Sequence, residues 1–98
     1  MKIFLNDKDK NKNIAALLRR AGYHLEKREE EEMAFVRSIS RLPFPRFHIY
    51  AREAGAGWEI NLHLDQKKPS YKGSSAHAGE YDGEIVEREL TRIKEFLI

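Results

Sequence analysis

The sequence predicts a single α+β domain over residues 1–98, in which helix, strand, two-stranded hairpin and helix follow in the order α-β-β-β-α. Three observations carry that prediction. Residues 47–65 hold two runs of alternating apolar and polar residues on either side of a glycine-rich turn, the pattern of a half-buried β-hairpin. One segment near each end repeats apolar residues at helical spacing. A chain of 98 residues has material for one hydrophobic core and not for two. An antiparallel sheet with one apolar face then takes both helices on that face and leaves the other open.

Taken in order, residues 3–5 are apolar enough for a short edge strand or an anchor, and residues 6–12 are a polar loop. Ile14, Leu17, Leu18 and Ala21 recur at helical spacing, with Asn11 or Asn13 as N-cap and Gly22 just past the end. Arg19 and Arg20 sit where the helix dipole favours cations. Residues 23–25 begin a strand, which the charged run 26–32 interrupts as a solvated turn or frayed helix. Residues 33–41 read as a strand of imperfect alternation, ended by Leu42-Pro43-Phe44-Pro45, because proline has no N–H for a sheet ladder.

The hairpin 46–65 comes next. A two-residue turn at Gly55-Ala56, with positive φ at Gly55, pairs residues whose numbers sum to 111. That register sets Arg46 against Asp65, His48 against His63, Tyr50 against Asn61 and Arg52 against Glu59 on one face. Phe47, Ile49, Ala51, Trp58, Ile60, Leu62 and Leu64 fall on the other. An odd loop length would set apolar residues opposite polar ones, so the alternation itself selects the pairing. A polar loop of about fifteen residues follows Asp65. The last helix has Asp82 as N-cap, an Ile85, Val86, Leu90, Ile93 and Leu97 stripe, and an exposed Glu84–Arg88 pair.

The chain has no cysteine, which excludes disulfides and thiolate metal sites and suits a reducing compartment. Its first residues have too short an apolar run for a signal peptide or membrane span. The expectation is a cytoplasmic protein with no membrane partner. Net charge is only +2, but basic side chains predominate in residues 1–25, 33–53 and 66–78, and acidic ones in 26–32 and after 79. Such segregation makes a surface for phosphate, or merely a dipolar one.

The polar hairpin face supports three chemistries. His48 and His63 suit an acid–base pair for RNA phosphodiester cleavage. Arg46 and Arg52 would hold phosphate, Tyr50 would stack a base, and Lys67, Lys68 and Lys72 would clamp the backbone. His63, Asp65, His48 and His77 also include metal-ligand types; with no compact ligand motif such as HExxH, no metal and no cofactor is expected. Finally, a free sheet edge or residues 42–47 would take a protein partner or a second copy. The same face also reads as the ordinary polar side of a sheet, with Arg46–Asp65 and Arg52–Glu59 as register-setting charge pairs.

Leu17-Leu18-Arg19-Arg20-Ala21-Gly22-Tyr23, a single histidine on the second strand (His48) and a C-terminal helix after a histidine-bearing loop resemble HicA-type messenger-RNA-cleaving toxins. That family has a double-stranded-RNA-binding fold. The Gly-Ser-His signature of the family is absent, since Arg46 and Phe47 precede His48, and residues 26–45 are longer than its equivalent. The resemblance implies a nucleic-acid-binding domain, with His48 as a residue of RNA cleavage. The alternative is a non-enzymatic interaction or dimerisation domain.

Overall fold

The computed structural model describes residues 1–5, 13–55, 57–66, 79–80 and 83–96. Among them, six strands form one antiparallel sheet: β1 (Lys2–Leu5), β2 (His24–Arg28), β3 (Glu32–Ser38), β4 (Arg46–Ala54), β5 (Gly57–Asp65) and β6 (Gly79–Glu80). They lie in the order β1-β5-β4-β3-β2, with β6 paired to β5 beyond β1. Helices α1 (Ile14–Arg20) and α2 (Glu84–Phe96) share one apolar core with the sheet. Among the described residues, no helix is long and apolar enough to cross a membrane.

The central hairpin has the predicted register, from Arg46 opposite Asp65 to Ala54 opposite Gly57, and Gly55 has φ +56°. Phe47, Ile49, Ala51, Ile60, Leu62 and Leu64 are buried against Ile14, Leu17 and Leu18 of α1 and Val86, Leu90 and Ile93 of α2. Trp58 is only half-buried at the rim of this core. The imperfect alternation of β3 is resolved by its pairing. Met33 and Phe35 lie beside Ala51 and Ile49 on the helix face, while Ala34 and Val36 lie beside Tyr50 and His48 on the other.

Helix α1 is capped at both ends by the residues its sequence offers. The Asn13 side chain accepts from the N–H groups of Ala15 and Ala16 at 3.0 and 3.2 Å. After Ala21, Gly22 turns to φ +99°; its N–H donates to Arg19 O and that of Tyr23 to Leu18 O, both at 2.9 Å. This is the Schellman closure, which needs a left-handed residue. A Cβ on Gly22 would also lie 3.0 Å from Cδ of Arg37. Gly22→Ala is therefore expected to cost about 1–2 kcal/mol and lower the melting temperature by roughly 5–10 °C. A thermal melt unchanged within about 1 °C would contradict this account.

The α-β-β-β-α order stands in outline, and of the two readings of residues 3–5 the edge strand is the one realised, as β1 before the first helix. Three sequence expectations are corrected. The charged run 26–32 is neither turn nor frayed helix throughout: Glu26, Lys27 and Arg28 belong to β2, and Glu29 N–H donates to Glu32 O at 2.8 Å to close a tight β2–β3 turn. Gly79 and Glu80 end the expected loop as β6. Ile85 is 41 % exposed, and it is Glu89 that joins Val86, Leu90 and Ile93 in burial. Asp82 and Leu97 lie outside the described residues.

Glu89 is 4 % exposed and fully engaged. It accepts from the Tyr23 hydroxyl (2.6 Å), from Arg37 Nε and Nη2 (both 3.1 Å) and from Arg92 Nε and Nη2 (2.8 and 3.0 Å). Arg92 also donates to Ala21 O at 2.5 Å. One carboxylate thus ties α2 to β3 and to the end of α1. Burial pushes its pKa up, but the hydrogen bonds from Arg92, Arg37 and Tyr23 prevail and hold it below the usual carboxylate range. Burial, followed by the Glu89 charge, raises the Tyr23 hydroxyl well above its ordinary value.

Candidate functional site

The outer face of the sheet, opposite the helices, is built from even-numbered residues of β4 and odd-numbered residues of β5. Their pairing sets His48 beside His63 with ring centroids 4.9 Å apart, and Tyr50 stacks 4.5 Å from His48 and 5.7 Å from His63. Asp65 lies between the two imidazoles: its Oδ1 is 2.9 Å from His63 Nε2 and its Oδ2 3.1 Å from His48 Nδ1. Arg46 Nε stands 3.4 Å from Asp65 Oδ2.

Glu26 completes the group from two strands away. Its Oε2 is 3.2 Å from Arg46 Nη1 and its Oε1 is 3.6 Å from His48 Nε2. The intervening outer residues of β3 are Ala34 and Val36, small enough for long side chains to meet across them. Sequence reasoning missed Glu26 because a charged run reads as solvated. The available signal was its place just after the predicted start of a strand at residue 23.

Burial departs from expectation. Alternation alone places both histidines on an open polar face, yet His48 and His63 are 7 % and 5 % exposed. The Tyr50 ring, the two carboxylates and Arg46 crowd around them, so the polar face has a small buried centre. Burial pushes the His63 pKa down; Asp65 opposes this and the neighbouring His48 adds to it.

The other predicted residues divide. Tyr50 and Arg52 line an open recess of about 300 Å³ with Lys2, Glu32, Glu59 and Asn61. Arg52 Nε is a loose 3.7 Å from Glu59 Oε2, whereas Lys2 Nζ is 3.1 Å from Glu59 Oε1. Arg46 already carries two carboxylates, so it braces the site and is poorly placed to hold phosphate. On the β2 side, Glu26, Lys27, Glu29, Glu32 and Ala34 line a recess of about 250 Å³ with His48 and Tyr50. Lys67, Lys68, Lys72 and His77 lie outside the described residues. A larger recess of about 700 Å³ includes Met33, Ala51 and Trp58 of the inner face and Glu29–Glu32, but no predicted site residue lines it.

Chemically, the arrangement offers two imidazoles joined by a shared carboxylate, a stacking ring, and cations at the margin. Compared with protein-family models, curated proteins and solved structures, the chain matches none of them.

Proposed function

We propose that this chain is a small RNA-binding domain whose outer sheet face holds a nucleotide beside His48 and His63. The observation that supports this best is the recess where Tyr50, Asn61, Lys2 and Arg52 converge next to the imidazole pair. A nucleobase stacked on Tyr50 gains about 1–3 kcal/mol, and the Asn61 amide offers a donor and an acceptor to a base edge. Arg52, with its side chain 58 % exposed and its Glu59 contact loose, is free to turn to a phosphate. Lys67, Lys68 and Lys72 follow Asp65 in the sequence and add positive charge.

Cleavage is the further step of this proposal. One imidazole takes the proton of the ribose 2′-hydroxyl as that oxygen attacks phosphorus, and the other protonates the departing 5′-oxygen, leaving a 2′,3′-cyclic phosphate and a 5′-hydroxyl. Because both rings are covered in the free protein, the Tyr50 ring must give way to the incoming nucleotide.

End-labelled single-stranded RNA, incubated with and without divalent cations, tests both steps. Wild type is expected to bind with salt-dependent affinity and to cleave; Arg52→Glu to weaken binding several-fold and flatten its salt dependence; His48→Ala and His63→Ala to bind within about twofold of wild type but not cleave. RNA that stays intact under every condition removes the cleavage step, and affinity indifferent to salt removes the binding step. A second reading, protein docking, has one observation in its favour: β2 is an edge strand with all five residues exposed. Sedimentation that remains monomeric as concentration rises excludes self-pairing there.

A further inference from the structure

We infer that His48, His63 and Asp65 are the ligand set of a divalent transition-metal cation, with Glu26 holding the far nitrogen of His48. It does not rest on RNA as substrate, and with a metal bound the ligated imidazoles no longer exchange protons, so occupancy of this site replaces the acid–base cleavage step and leaves nucleotide binding unaffected. A neutral imidazole has one N–H and one lone pair, yet both ring nitrogens of His48 face carboxylate oxygens, Asp65 Oδ2 at 3.1 Å and Glu26 Oε1 at 3.6 Å. In either tautomer, one lone pair is set against a carboxylate. At 3.6 Å from Glu26 Oε1, Nε2 is buried without a hydrogen-bond partner.

A cation between Nδ1 and Asp65 removes that conflict. The Nδ1 lone pair goes to the metal and the remaining N–H, on Nε2, points to Glu26. That carboxylate–histidine–metal relay is how metal-bound imidazoles are ordinarily oriented. His63 Nε2 is 2.9 Å from the other oxygen of Asp65, and one donor atom from each of the three residues lies within 4.8 Å of the others.

Two of the three donor distances already fit a metal site. Metal–ligand bonds of about 2.0–2.2 Å in a tetrahedral site put donors roughly 3.3 Å apart. Asp65 already stands 2.9 and 3.1 Å from the two rings, so the ring-to-ring gap is what must close. All three ligands project from paired strands of one hairpin, so their spacing is set before any metal arrives. Glu26 and Asp65 face Arg46, and Glu29 and Glu32 line the adjoining recess with Lys27; carboxylates outnumber basic side chains around the site, which attracts a cation. Two imidazoles and a carboxylate suit zinc, cobalt(II) or iron(II) over magnesium or calcium, and three protein donors leave a fourth position for water or substrate.

The test is calorimetric titration of tag-free, chelator-treated protein with Zn²⁺, alongside the visible absorption spectrum of the Co²⁺ complex, with no RNA present. One-to-one binding at micromolar Kd or tighter is expected, with tetrahedral cobalt bands. Asp65→Asn, which keeps the shape of a half-buried side chain and whose fold is checked by circular dichroism, should weaken binding at least 100-fold. Glu26→Gln should weaken it about 10- to 100-fold with stoichiometry unchanged, and His24→Ala, at an exposed residue outside the cluster, should leave it as wild type. Absence of saturable binding, or Asp65→Asn binding like wild type, overturns the inference and leaves the RNA proposal standing. Metal binding without RNA cleavage leaves the inference standing and removes only the cleavage step of the RNA proposal.

Discussion

Replacing Glu89 by alanine is expected to lower the melting temperature at pH 7 by more than about 10 °C, although the residue lies on a helix outside the candidate site. The substitution leaves the Tyr23 hydroxyl buried without its acceptor and two guanidinium groups without their carboxylate. Breaking a fully buried ion pair costs about 3–5 kcal/mol. The Arg37 and Arg92 side chains are 28 % and 34 % exposed, so water relieves part of that and about 2–4 kcal/mol remains. For a domain of this size that is roughly 10–25 °C. Glu89→Gln keeps the shape and loses the charge, and should fall between wild type and alanine.

The carboxylate also predicts a pH dependence. Its folded pKa lies below its unfolded value, so its contribution is fully present above the unfolded carboxyl pKa of about 4.3 and is lost as pH falls through the folded value. Wild type should therefore lose more stability than Glu89→Gln between neutral pH and about pH 3. Melts at the two pH values decide it. An alanine variant within about 3 °C of wild type at pH 7, less than about 1 kcal/mol would produce, would show that the network is surface decoration.

Leu62→Ala is expected to cost about 3 kcal/mol, while Ile85→Ala should stay within about 0.5 kcal/mol. Both are apolar residues that sequence periodicity assigns to the core. Leu62 is 0 % exposed on a central strand opposite Ile49, where a lost side chain leaves a cavity walled by strands and helices. Ile85 is 41 % exposed. Urea unfolding midpoints measure the difference. Equal costs at the two positions would mean that α2 is rotated about its axis relative to the arrangement described here.

Legibility differed from element to element. The central hairpin could be read because its period of two runs through both strands, and a slip by one residue would expose the whole apolar set. Helix α1 could be read because Asn13 and Gly22 mark its ends. The β2–β3 turn is legible only as a solvated turn or frayed helix somewhere in 26–32, because its residues are glutamates with none of the glycine, asparagine or aspartate that places a tight reversal. Glu26 therefore reads as solvated, although it lies within reach of His48. Glu89 was hidden for another reason: its partners Tyr23 and Arg37 are 66 and 52 residues away in the chain.

The sequence by itself determined the α+β class, the hairpin register and the set of side chains on its outer face, because alternation and turn chemistry are local and act before any packing. Only the tertiary structure decided that two of those side chains, His48 and His63, are enclosed, that Asp65 stands between them, and that Glu26 reaches them across β3. Enclosure depends on what neighbouring strands bring alongside, and a carboxylate two strands away has no signature in the spacing of the residues it meets.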